Sequence, residues 1–126
     1  MMDELCEAIR IFVRYDTPDE NGDTRRDKNE RFGRDHPDLI VNMDGAYLWE
    51  WYHRVASCVA RVRDGICFPI PPSEFLAWAQ MTGTLVRPME WSILTAMDEV
   101  YCTGMSAEFE AYRIRQEEKA KAAQNG

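Results

Sequence analysis

No stretch of this sequence approaches the roughly 18–20 consecutive apolar residues that a membrane-spanning helix requires. The opening MMDELCEAIR places acids where a signal peptide carries bases, and the apolar run Ile11-Phe12-Val13 is too short for a signal core. The expected location is therefore the cytoplasm. Bases are also in short supply. Fifteen Lys and Arg stand against 22 Asp and Glu, for a net charge of −7 and a pI near 4.8. Such a chain is a poor partner for a phosphate backbone or an anionic membrane. Its one basic cluster, Arg25, Arg26, Lys28, Arg31 and Arg34, is interleaved with Asp23, Asp27, Glu30 and Asp35, which cancel much of its field. The four cysteines, Cys6, Cys58, Cys67 and Cys102, form no CxxC pair and match no zinc module, so reduced, partly buried thiols are expected. Only two histidines are present, His36 and His53, and there is no GxSxG, HExxH or P-loop pattern to give either a catalytic partner. Asp98 and Glu99 are adjacent, which a helix turns about 100° apart, and they read as a solvated face. Cys58 and Cys102 fall on helices expected to pack together, but no ring of further ligands accompanies them. No enzyme activity, cofactor or metal is expected.

What the chain does have is helical periodicity. With 126 residues and 45% hydrophobic content it suits one domain of ordinary size. The expected fold is all-α: a small bundle of about four helices with an N-terminal helix, a charged connector and a polar helical tail. Leu5, Ala8, Ile9, Phe12 and Val13 recur at helical spacing between Asp3 and Tyr15. Residues 1–43 then read as that helix plus an arm. The arm, from Asp16 to about Asn42, is dense in charge and turn formers. Thr24 to Arg31 could form a short surface helix, and only Phe32, Leu39, Ile40 and Val41 could anchor the stretch to a core. It reads as a solvated, partly disordered connector or as an arm that orders on a partner.

The expected core spans residues 44–105. Its main helix runs from about Asp44, a plausible N-cap, to Arg63, with Leu48, Trp51, Tyr52, Val55, Val59 and Val62 on one face and Gly65 closing it. Pro69, Pro71 and Pro72 forbid a helix in CFPIPPSE. Ser73 reads as the N-cap of a short helix to Thr82, with Phe75, Leu76 and Ala79 as its apolar face and Gly83 as C-cap. Pro88 opens the next helix. There Trp91, Leu94, Met97, Tyr101 and Met105 form a stripe, Gly104 weakens the helix, and Ser106 can cap a continuation or a fresh one. Residues 106–126 form the polar tail. A core of about 60 residues is marginal, so packing against a second copy or a partner is expected to add stability.

The aromatics suggest binding. Trp51 shares the stripe of Leu48 and is expected in the core, whereas Trp49 points about 100° away from Leu48. Trp49 is thus either an exposed interface anchor or packs on the Pro69–Pro72 segment or the N-terminal arm. Surface expectation selects Trp49, Tyr52 and His53, together with Arg25, Arg26 and Arg31 of RRDKNER, as partner-binding residues.

Two blocks, NERFGRDHPDL with AYLWEWYHRV and then PIPPSEFLAWAQMTGTLVRPMEWSILTAMDEVY, resemble the small tail assembly chaperones of long-tailed bacteriophages. Leu48, Trp49 and Trp51 are similar to that family's helical core. Pro69, Ile70, Glu74, Ala77 and Trp78 resemble its loop motif, with one extra residue between Ile70 and Glu74. Met81, Thr82 and Gly83 resemble its turn, Arg87, Pro88 and Glu90 its helix start, and Met97, Asp98 and Tyr101 that helix's end. The likeness covers roughly Asn29 to Tyr101, and the helix from Asp3 to Tyr15 has no counterpart in it. It implies a non-catalytic protein of the host bacterial cytoplasm that binds the tape-measure protein and helps recruit tail-tube subunits. Two other readings stand beside it: a phage-encoded inhibitor of a host defence or regulatory protein, and a minor structural part of the virion.

Overall fold

The computed structural model describes residues 1–125. Among them the chain is mostly helical, with five α-helices and one two-stranded hairpin, so the all-α expectation holds only in its coarse form.

Helix α1 (Met2–Tyr15) buries Leu5, Cys6, Ala8, Ile9 and Val13, the stripe its periodicity predicts. Its main contact is with the last helix, α5 (Pro88–Asn125). The expected core between residues 44 and 105 is therefore incomplete, because α1 lies inside it. Gly104 explains how the two helices come so close. A Cβ there would stand 3.0 Å from Val13 Cγ1, so the residue expected to weaken α5 instead makes room for α1.

The connector is ordered. Asp19 forms an Asx turn by accepting the N–H groups of Asn21 and Asp23 at 2.9 and 3.0 Å. Thr24 Oγ1 accepts the Asp27 N–H at 3.1 Å and caps α2 (Arg25–Arg31). Of the expected apolar anchors Val41 packs against the core and Leu39 is half-buried, whereas Phe32 and Ile40 are exposed, and ion pairs add to the hold on this region.

After a 3₁₀ turn at Met43–Gly45, α3 (Ala46–Ser57) starts later and ends earlier than expected. Its buried residues are Leu48, Tyr52 and Val55. The chain beyond it is a hairpin, β1 (Val62–Arg63) against β2 (Ile66–Cys67), antiparallel with Val62 opposite Cys67. Asp64 and Gly65 form its two-residue turn with φ of 54° and 76°, which is the geometry that favours Asp-Gly. Gly65 is thus a hairpin residue and not a helix cap.

Helix α4 (Pro72–Thr82) begins after Pro71, two residues before the expected start, and ends at Gly83 in the left-handed conformation expected of it. It buries only Phe75; Leu76, assigned to its apolar face, is exposed. Helix α5 then runs 38 residues without a break at Gly104 or Ser106. Ile93, Leu94, Met97 and Met105 are buried on it, and every residue from Tyr112 to Asn125 is exposed. No helix among the described residues is long and apolar enough to cross a membrane.

Candidate functional site: a buried polar cluster and an exposed apolar segment

Asp98 is the centre of a network that sequence reading placed on a solvated face. It is 4% exposed. Its Oδ1 accepts the Tyr52 hydroxyl at 2.9 Å from α3 and the Arg61 guanidinium from the segment before β1. Its Oδ2 accepts the Ile70 N–H at 2.8 Å from the Pro-rich loop. Arg61 also donates through Nε to the Phe68 carbonyl at 3.0 Å, and its guanidinium lies 4.7 Å from the Tyr101 ring centroid. A carboxylate this deep persists because each of its oxygens is hydrogen-bonded and a cation sits beside it. Burial, and then the charge of Asp98, push the Tyr52 phenol above its ordinary range, so it stays protonated and donates. Tyr52 is fully buried and lies in the interior, not on the partner surface assigned to it. A position four residues after Leu48 shares its buried face.

The motif residues behind the family resemblance have local structural roles. Pro69-Ile70 and Asp98 meet through the Ile70 N–H, and Tyr101 lies beside Arg61. Thr82-Gly83 closes α4. In Arg87-Pro88-Met89-Glu90, the Glu90 carboxylate reaches back to accept the Arg87 N–H at 2.9 Å, which holds Glu90 below the usual carboxylate range. These residues fix where α4 and the α4–α5 turn sit.

That segment carries apolar surface to solvent. Leu76, Met81, Leu85 and Met89 are 61%, 88%, 81% and 63% exposed. Sequence reading missed this face, although α4 carried a signal. Its eleven residues, PSEFLAWAQMT, include one charged side chain, Glu74, so its outward face had little polar material.

The remaining expected partner residues fall in two places. Trp49 and His53 lie together, half-buried, with ring centroids 4.5 Å apart; both meet Phe12 of α1, at 5.9 and 5.0 Å. Trp49 thus packs on the N-terminal helix instead of standing out as an exposed anchor. With Glu50, Arg54 and Ser57 these rings line a shallow groove of about 510 Å³. His53 Nε2 is buried there without a hydrogen-bond partner, and burial lowers the imidazole's pKa. The arginines lie apart from this groove. Arg25 bonds Glu108 at 2.6 Å and the Arg14 carbonyl at 2.9 Å. Arg26 holds Asp16 at 2.7 Å, His36 Nδ1 at 2.9 Å and the Pro37 carbonyl at 2.9 Å. Both fasten the connector to itself or to the helices. Arg31, 3.5 Å from Asp23, is the most exposed of the three.

Cys102 pairs spatially with Cys67 of β2 and not with Cys58, which is exposed. No family model matches the chain, and no curated protein or solved structure matches it significantly.

Proposed function

We propose that this protein is a non-catalytic tail assembly chaperone of a long-tailed phage, which covers the tape-measure protein in the host cytoplasm before the tail is built. The observation that supports this reading best is the position of its exposed apolar side chains. Leu76, Met81, Leu85 and Met89 all fall inside the block whose motif order resembles that family. Large apolar groups held in water favour a partner that buries them. Methionine, unbranched and polarisable, adapts to irregular apolar surfaces. A long amphipathic helix offers a matching stripe, and a net charge of −7 favours solubility of the complex. Tail-tube subunits are the second partner under this reading.

The test is a pull-down of the tagged protein from phage-producing cells, with mass spectrometry of the bound material, alongside a Met81→Glu, Leu85→Glu double variant. Both positions are exposed, so the variant is expected to fold. Recovery of a very long helical phage protein by the natural chain, at least tenfold reduced with the variant and absent from finished particles, is the expected result. Recovery of a host nucleic-acid-binding or defence protein instead would favour the inhibitor. Presence of the chain in purified virions would make it a structural part.

A further inference from the structure

Cys67 and Cys102 come from different elements, the hairpin and the middle of α5, yet their sulfurs are 3.5 Å apart. Joining them requires the sulfurs to approach by about 1.5 Å, since a disulfide bond is 2.03–2.05 Å long. The hairpin can supply that movement. Residues 62–66, its turn and most of both strands, are exposed, while α5 is anchored on α1. The two thiols differ in access. Cys67 is buried and Cys102 is partly exposed. The Arg61 guanidinium lies 3.5 Å from Cys102 Sγ, a cation beside the sulfur that carries negative charge during exchange.

We propose that Cys102 is a redox modification site and Cys67 its resolving thiol, together closing a disulfide when a low-molecular-weight disulfide is present. Cys102, as thiolate, attacks one sulfur of the small disulfide. The S–S bond breaks, one small thiolate leaves and takes up a proton, and Cys102 holds the other half as a mixed disulfide. Cys67 is buried, so this thiol meets little oxidant from solution but stands 3.5 Å from the sulfur that carries the mixed disulfide. Cys67 gives its proton to the departing group and attacks Cys102 Sγ, which expels the second small thiol. Two protein thiols are oxidised and one small disulfide is reduced to two thiols. The product ties the hairpin to α5 and closes a loop of 35 residues that contains α4 and the exposed segment from Leu76 to Met89. The redox state of the pair then sets how freely that segment moves. In a reducing compartment the bond forms only transiently, as expected of a sensor.

The experiment equilibrates the natural chain in glutathione buffers from fully reduced to fully oxidised, quenches in acid, alkylates the free thiols and maps the peptides by mass spectrometry. The expected result is loss of the Cys67 and Cys102 thiols together, with a Cys67–Cys102 cross-linked peptide and no glutathione retained on either. Melting without reductant should rise by on the order of 10 °C and return on adding dithiothreitol. A Cys67→Ser variant, shown folded by circular dichroism, should trap one glutathione on Cys102. Free thiols at both positions in the most oxidising buffer, glutathione on Cys58 alone, or a folded Cys67→Ser chain with no adduct on Cys102 would each overturn the proposal.

Discussion

Arg61 and Arg26 each hold an aspartate, but in different surroundings. The side chains of Arg61 and Asp98 are 7% and 6% exposed, and Tyr52, Ile70 and Phe68 complete their hydrogen bonds. Arg26 and Asp16 are 17% and 22% exposed, in a connector none of whose residues from Asp16 to Asn42 is buried. Coulomb attraction between unit charges at contact is several-fold stronger away from water, but so is the penalty for leaving one unpaired. The first pair therefore determines whether the hairpin and the Pro-rich loop stay docked. The second orders a segment that has little apolar surface of its own. Similar residue pairs thus differ in consequence because of what surrounds them.

Three perturbations sharpen this contrast. The largest effect is expected for Asp98→Asn, which leaves the Arg61 charge buried without a counter-ion. Urea denaturation should report a loss of about 3–5 kcal/mol. A loss near zero would mean that water reaches the cluster and the contrast fails. Arg26→Ala should cost about 1 kcal/mol or less, because solvent screens its pair with Asp16, and raised salt should shrink the difference. Proteolysis in the connector should quicken even where global stability scarcely changes.

The smallest effect is expected for His53. Its folded-state pKa lies below the ordinary 6.5, because burial disfavours the imidazolium. The unfolded chain takes up the proton first as pH falls. Stability is thus full above about 6.5 and declines as pH drops toward and through the folded pKa. His53→Phe should flatten that part of the stability–pH profile, measured against the natural chain by denaturation at each pH.

Much of the local structure was legible in individual residues. The 3–4 spacing from Leu5 to Val13 defined α1, Thr24 capped α2, Gly83 closed α4 and Pro88 opened α5. Asp64-Gly65 was a legible hairpin signal. Val59 and Val62 nevertheless extend the stripe of α3 in phase, so from the sequence Gly65 reads as that helix's C-cap. The candidate site was far less legible. Trp49 and His53, four residues apart on α3, meet as helical spacing allows, but surface expectation selects them without relating them to each other or to Phe12. Nothing local revealed that Asp98 faces Arg61, 37 residues away, and Tyr52, 46 residues away. Adjacent acids such as Asp98 and Glu99 look alike in sequence, and only the packing of α5 against α3 and the hairpin buries one and exposes the other.

The sequence by itself determined the helical character, the acidity and most of the start and stop points. These follow from backbone propensity, side-chain periodicity and caps, which act within a few residues. Tertiary structure decided three further things. It set α1 into the core, for which Gly104 leaves room. It sorted the ion pairs into buried and solvated. It also left Leu76, Met81, Leu85 and Met89 facing water. Burial is a property of the surface that approaches from elsewhere in the chain, so it depends on contacts between residues far apart in sequence, which a local pattern does not encode.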